Sequence, residues 1–532
     1  METWQLAVAI LAGIFVGALL VLQLVRVWAE SEYKSMLKNP QTECDIDSFT
    51  GTKVSALKVT LAHKFRLGGR VAKLDPIPLE TYDSPHMPGL RVAQKDGTAK
   101  KTGTGEYKDV KPLGETLSAS GKDMPIVIAT IRMGFGHHRI AYAACSWALE
   151  TGRTTIFHDL LNIESEEADL IKSTDELYSR FSRYASEMGG PVEKLWGNMM
   201  LSGDADALRI AALTAAHLQP LLLAYPKDIP IITTHQLCAL VCSAVGFTNV
   251  VNLVVDNHAQ WFLTVPNTLN LVQGPVNWMS FLRFGIDPAQ LACAGHWCPA
   301  DMVRNIKQDC QRRIQRRKSK KPLRMLIPVG GAGAQRKFIV ALVKGLGPMV
   351  KEGSVQLLLN AGDHVHMKTA FLQALDEAGL PFGQITTMQG VYDLQKKLLG
   401  DKEPDNSVTL CCFSKKDYFA AVATTDVLSR VADVLTCKPS ELAFACLPKL
   451  HIRRVGDHEA DSARRAAELG DGTLEAREVE DALDYVKLFM NSTLLSEMCE
   501  AIQKQQTLEV YDGCRVAVAK VLQKGGALGK SA

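Results

Sequence analysis

Two short segments roughly 300 residues apart, Met133-Gly-Phe-Gly-His-His-Arg139 and Lys438-Pro-Ser-Glu-Leu-Ala-Phe-Ala-Cys-Leu-Pro448, constrain the fold of this chain most. Each follows an apolar run that reads as a buried parallel strand, Pro125 to Arg132 and Val431 to Cys437, and each opens a helical pattern. A strand-to-helix turn on a parallel sheet aims backbone N–H groups and a positive helix end at the sheet's carboxyl edge, where phosphates and developing anions bind. One turn offers a histidine and the other a Lys-Pro-Ser-Glu. Two facing sheets with one ligand between them are therefore expected.

The remaining pattern fits that frame. At 532 residues the chain exceeds a single core. From Met124 onward short apolar runs alternate with longer amphipathic ones. The expected strands are 126–131, 154–157, 229–233, 250–255 and 269–272, then 324–328, 355–360, 408–413, 433–436 and 449–452. This βαβ rhythm predicts an α/β fold of two Rossmann-like, doubly wound domains. The expected divisions are 1–29, a transmembrane anchor; 30–123, a juxtamembrane linker broken by Pro76, Pro78, Pro85 and Pro88; 124–303, the first domain; 304–323, a basic interdomain linker; and 324–532, the second domain.

Leu6 to Val25 is apolar except for Gln23, long enough to cross a bilayer as one helix. Glu2 precedes it, while Arg26, Lys34 and Lys38 follow, so the positive-inside rule places the N-terminus outside and the long remainder in the cytoplasm. A cleaved signal peptide fits less well, for want of a basic start and a small-residue cleavage site. The nine Lys and Arg side chains between Arg304 and Lys321 read as a solvated interdomain helix, with attraction to anionic lipid as the alternative.

Composition excludes other classes. The net charge of +3 comes with no RNA- or DNA-binding module. The thirteen cysteines are odd in number and sit mostly in apolar runs, as small hydrophobes in a reducing compartment rather than a disulfide framework. Neither His235, Cys238 and Cys242 nor Cys293, His296 and Cys298 has paired CxxC spacing, so no metal is expected.

Polar residues recur at the carboxyl ends of successive strands: Gly134-Phe-Gly136-His137, Phe157-His-Asp159, Thr234-His235-Gln236 and Val255-Asp256-Asn-His258-Ala-Gln-Trp261-Phe262. Val329-Gly-Gly-Ala-Gly-Ala334 is a glycine-rich loop after a strand, and Gly456-Asp-His-Glu459-Ala-Asp461 follows the Lys438 segment. In these residues, from about Pro125 to Leu469, the chain resembles the GT-B glycosyltransferases of family 28. It is similar to the monogalactosyldiacylglycerol synthases and, more distantly, to the MurG enzyme of peptidoglycan synthesis. The family's Gly-Gly-Gly-His turn has Phe135 as a departure here, and Gln335 and Arg336 stand where a glycine is usual.

That resemblance implies GT-B architecture, two domains clamping a UDP-sugar, and inverting transfer of the sugar to a lipid acceptor, a glycerolipid before a polyprenyl carrier. It implies His137 or Asp256 as catalytic base and Gly330, Gly331, Gly333, Arg336, Phe413, Lys438, Ser440, Glu441, His458 and Glu459 as nucleotide-sugar contacts, with Glu441 on the ribose. Gly134, Gly136, His235, His258 and Trp261 would line the acceptor side, and Arg139 is a further phosphate candidate. No cofactor beyond the donor is expected. The stretch from Asp159 to Trp196 reads equally as an acceptor and membrane region or as an ordinary surface helix pair. Two alternatives stay open: a nucleotide-sugar 2-epimerase, and a descendant that binds nucleotide-sugar without turnover.

Overall fold

The computed structural model describes residues 3–37, 46–67, 70, 72–99, 124–188, 190, 204–330, 333, 335–400, 402–456 and 459–523. Two sheets organise it. The first runs β1 (Leu79–Asp83), β2 (Leu90–Lys95), β4 (Thr155–Asp159), β3 (Ile126–Thr130), β5 (Ile231–Thr233), β6 (Val250–Leu253), β7 (Leu269–Val272) and β8 (Leu291–Cys293) in spatial order. Only the β1–β2 pair is antiparallel. The second, wholly parallel, runs β11 (Gly383–Ile385), β12 (Val408–Cys411), β10 (Val355–Asn360), β9 (Leu323–Pro328), β13 (Val434–Cys437) and β14 (Lys449–His451).

This is the expected α/β architecture of two Rossmann-like domains facing a cleft. In the first sheet the strand order reverses around β3, with β4 on one side and β5 on the other. In the second it reverses around β9, between β10 and β13. Ligands of such sheets bind in the crevice at those switch points. The central strands are buried along their whole length because helices cover both faces.

Several boundaries differ from the sequence reading. The hairpin β1–β2 lies in the stretch read as linker and extends the first sheet. The apolar N-terminal helix does not stop near residue 29 but runs from Thr3 to Leu37. Its stretch Gly13–Leu37 is long and apolar enough to cross a membrane. Its lower end is docked on the first domain: Ala29 and Tyr33 are buried, and Thr60 Oγ1 donates to the Ala29 carbonyl at 3.1 Å.

The basic segment between the domains forms the helices Ala300–Arg304 and Ile306–Lys318, with Arg304, Lys307, Lys318, Lys320 and Lys321 exposed as a solvated helix requires, but two of its arginines turn inward. Arg313 donates to the carbonyls of Ala432 (2.8 Å) and Ser429 (2.7 Å), and Arg316 pairs with Asp433 at 3.2 Å.

The last described helix returns to the first domain. The helix Gly513–Leu522 packs on the helix Gly136–Leu149 and on β5 and β6 of the first sheet. The crossing is tight: a Cβ on Gly513 would lie 2.4 Å from the Gly295 carbonyl oxygen, and the His296 N–H donates to Val510 O at 2.6 Å. A fully buried network fixes this return. Lys449 Nζ meets Asp471 at 2.8 Å and the Ala445 carbonyl at 2.7 Å, and the Tyr511 hydroxyl donates to Asp471 at 2.6 Å.

Removing the cation leaves a buried carboxylate without its counter-charge. Lys449→Met is expected to cost about 3–5 kcal/mol of stability, read as the shift of the urea midpoint at constant slope. An unchanged midpoint would show that the network contributes nothing.

Candidate functional site at the two switch points

At the first switch point β3 ends in a turn that brings Gly134, at φ +74°, and Gly136 to the start of the helix Gly136–Leu149. His137 on that first turn is half-buried, and its Nδ1 lies 2.6 Å from the carbonyl oxygen of Thr234, just beyond β5. A carbonyl only accepts, so Nδ1 carries the proton and Nε2 is the lone-pair nitrogen. Burial lowers the pKa of His137, against the pull of that carbonyl and of the Asp256 and Glu441 carboxylates. The imidazole is therefore neutral near pH 7.

His235, its ring centroid 4.3 Å from that of His137, has the opposite tautomer. Its Nδ1 accepts the Leu237 N–H at 3.1 Å and so caps the helix Gln236–Val245, leaving the proton on Nε2. Burial, and secondarily His137, hold it well below the ordinary histidine range.

At the second switch point the Gly333 N–H donates to Gly330 O at 2.8 Å, closing the turn after β9. Gly333 has φ +63°, and a Cβ there would fall 2.6 Å from the His366 ring. On the far side of β9, Lys438 leads out of β13 and lies against Gly330, its Cε 3.1 Å from where a Cβ would be. Lys438 pairs with Glu459, whose other oxygen accepts the Val455 N–H at 2.8 Å. The Ser440 hydroxyl is buried with no hydrogen-bond partner among the described residues.

The two edges touch. A Cβ on Gly136 would stand 3.0 Å from Glu441 Cδ and 3.1 Å from its Oε2, so the carboxylate from the second domain rests on the first turn of the first domain's helix. Phe135, buried, enters the second domain, its ring edge 2.6 Å from a Cβ built on Gly362 and its centroid 5.1 Å from that of His364. The Tyr418 hydroxyl donates to Gly134 O at 2.7 Å, and Arg132 lies 3.5 Å over the Tyr418 ring and 3.3 Å from Asp363. Further along, His258 Nδ1 is 2.7 Å from Asp461 Oδ2, a contact that lowers the Asp461 pKa.

The structure thus brings together Gly134, Gly136, His137, His235 and Glu441 on one side, and Gly330, Gly333, Lys438, Ser440 and Glu459 on the other. Asp256 is half-buried and close enough to act on the charge of His137. Gly331 and His458 lie outside the described residues. Arg336 is exposed at the start of the helix Arg336–Lys351.

Four of the expected residues are engaged within the protein itself. Trp261 is buried, with its ring 5.8 Å from both Phe49 and Phe284. Phe413 is buried in the second core. His258 is engaged by Asp461 across the interface. Arg139 donates to Asp426 at 2.7 Å and to Glu441 O at 3.1 Å, clamping one domain to the other. Phe135, Tyr418, Asp363 and His366 were not singled out as site residues. The only sequence signal for any of them was Phe135 itself, a bulky residue where the family has glycine.

Comparison with known proteins gives the following. Residues 95–283 match a domain of unknown function (DUF6937), and residues 286–522 match another domain of unknown function (DUF6938). No curated protein matches the chain. Among solved structures, it is similar to the UDP-GlcNAc 2-epimerase from Neisseria meningitidis bound to UDP-GlcNAc, at 10% identity and a TM-score of 0.44 over 75% of this chain and 100% of that one. It is also similar to Anabaena Alr3699/HepE in complex with UDP-glucose, at 11% identity and a TM-score of 0.38 over 75% and 99% of the two chains. The UDP-GlcNAc 2-epimerase from Methanocaldococcus jannaschii gives 12% and 0.34 over 73% and 99%. Scores this low transfer no residue role or activity.

The inserted ring predicts how the domains are coupled. Phe135→Ala is expected to cost about 3 kcal/mol and to separate the unfolding of the two domains in scanning calorimetry. A single transition at the original temperature would show that the ring does not join them.

Proposed function

We propose that the chain is a membrane-anchored enzyme that moves a sugar from a UDP-sugar to a lipid hydroxyl, as the resemblance to family 28 implies. The observation that supports it best is His137: a neutral imidazole, its Nδ1 proton engaged by Thr234, its Nε2 a base at the seam between two switch points. Asp256, close by, would stabilise the imidazolium that forms. In the reaction Nε2 takes the acceptor hydroxyl's proton as that oxygen bonds to the anomeric carbon from the face opposite the diphosphate. The bond from that carbon to the phosphate oxygen breaks, UDP leaves, and the configuration inverts.

Charge growing on the diphosphate would meet the backbone N–H groups of the Gly330–Gly333 turn and the ammonium of Lys438 beside it, donors held in place before the reaction starts. Glu441 would accept the ribose hydroxyls, and Ser440 would gain the partner it lacks. The apolar N-terminal helix would tether the enzyme, with Arg26 and Lys34 in its C-terminal part placing the two domains on the cytoplasmic side.

A second reading, binding without transfer, draws support from Glu459. Both of its oxygens are already engaged by the chain itself, so the carboxylate expected to grip the sugar is not on offer.

The test is UDP release by detergent-solubilised protein from a panel of UDP-sugars with membrane lipid extract. Lipid-dependent release is expected, reduced about 100-fold or more in His137→Ala. Because burial lowers the His137 pKa, more acid is needed to protonate it. The rate should therefore hold through pH 6.5, the ordinary histidine value, and fall only below it. UDP-sugar binding without turnover would select the second reading. An epimeric UDP-sugar formed without net UDP release would select the epimerase.

A further inference from the structure

Away from the cleft, the seam between the two domains contains a hollow. The helix Gly136–Leu149 of the first domain lines it with Arg139, Tyr142 and Ala143, spaced by three and four so that they share one face. The helix Tyr418–Ser429 of the second lines it with Phe419, Ala423 and Asp426, which also share a face. With an alanine on each helix, the two walls leave a cavity of about 140 Å³. An apolar cavity of about 150 Å³ is large enough to hold a benzene ring. The walls are themselves aromatic: Tyr142 and Phe419 meet edge to face at 4.8 Å across the seam. The cavity has an entrance, because Met87, Ser146 and Asp301 line both it and a neighbouring hollow of about 350 Å³ that reaches the exposed Arg304.

One ion pair lines this cavity and is only half made. Arg139 and Asp426 come from different domains and are joined by Nε to Oδ1 at 2.7 Å. A guanidinium can hold a carboxylate by two parallel bonds, Nε and Nη2 to the two oxygens. Here Nη2 is buried with no partner among the described residues, and none of those residues donates to Asp426 Oδ2. The Arg139 side chain is 3% exposed and that of Asp426 is 15% exposed, so the carboxylate is the member of the pair that a molecule in the cavity reaches. Burial raises the Asp426 pKa against the pull of Arg139, as befits a carboxylate short of donors.

We infer that this cavity is a second binding site, for a small neutral aromatic molecule carrying a hydroxyl group. The ring lies against Tyr142 and Phe419, as the volume and the aromatic walls require. The hydroxyl donates to Asp426 Oδ2, and its oxygen is an acceptor for Arg139. The molecule is neutral because Arg139 already balances Asp426, and a further buried charge would have no counter-charge. Arg139 Nη1 also holds the Glu441 carbonyl at 3.1 Å. An occupant therefore strengthens the same seam that carries the Glu441 loop, at a distance from the cleft itself. The site stands apart from the proposed transfer reaction and does not rest on it.

Fluorine NMR of 4-fluorophenol with the full chain in nanodiscs tests it. The ligand control is 4-fluorotoluene, the same ring without the hydroxyl. The protein controls are Ala423→Leu and Ala143→Leu, whose longer side chains fill the cavity from either wall. Saturable broadening of the 4-fluorophenol signal is expected. Binding of 4-fluorotoluene should be about tenfold weaker, the worth of a hydrogen bond to a charged group. Both variants, once shown to unfold at the midpoint of the parent chain, should lose the broadening. No saturable broadening overturns the inference, and so does broadening that persists in a folded variant, which marks uptake by lipid or by another surface. Equal binding of the two ligands also overturns it, since Asp426 then recognises nothing. Should both variants fail to fold, the comparison of the two ligands decides alone.

Discussion

The contact between the Glu441 carboxylate and the backbone of Gly136 is the constraint on which the site depends. It exists because position 136 has no Cβ: one there would come within 3.0 Å of the carboxyl carbon. The carboxylate lies at the first turn of the helix Gly136–Leu149, where the unsatisfied N–H groups make a favourable place for negative charge. The loop that carries Glu441 is thereby pinned across the cleft, and Arg139 reinforces it by holding the Glu441 carbonyl and Asp426 together. On the proposed function, a nucleotide engaging Glu441 would draw it from this position or share it, so that the contact between the domains and occupation of the site would compete for one side chain.

Topology explains why the same few residues carry both tasks. Each sheet has one point where successive connections leave in opposite directions, and the carboxyl ends of the strands there open a crevice. His137 and Thr234 flank the first crevice, Gly330 and Lys438 the second. The departure from family pattern at Phe135 belongs to this geometry. Its ring fills the space over Gly362, at φ +58°, so a glycine on one side makes room for the bulk on the other.

The strands of the two cores could be read from sequence because they are buried on both faces and leave continuous apolar runs. Leu323–Pro328 and Val355–Asn360 are examples, fully buried along their length. Three of the four missed strands are edges: Leu79–Asp83 is half-exposed and sits among prolines, while Leu291–Cys293 and Gly383–Ile385 are three residues each, too short to show a period. The fourth, Leu90–Lys95, is interior but buries only Leu90 and Ala93, so it leaves no apolar run. The two glycine turns were legible because Gly134 and Gly333 take positive φ, while Gly136 and Gly330 leave room for Glu441 and Lys438. Arg139, Arg313 and Arg316 were not, since a count of cations cannot say which of them find carboxylates and carbonyls indoors. Nor could the motif around Trp261 reveal that the indole packs between Phe49 and Phe284.

What remains unsatisfied in the cleft is as informative as what is paired. A buried polar group without a partner costs on the order of 1–3 kcal/mol, and native structures rarely keep one without use. The fully buried Lys449, Asp471 and Tyr511 engage one another. At the second switch point the Ser440 hydroxyl, one residue from Glu441, has no partner among the described residues. Arg139 Nη2 on the other side of the same loop is in the same state. Both groups flank the Glu441 carboxylate at the seam between the domains. A ligand that supplied a partner to Ser440 would recover that cost locally, beside the carboxylate that rests on Gly136.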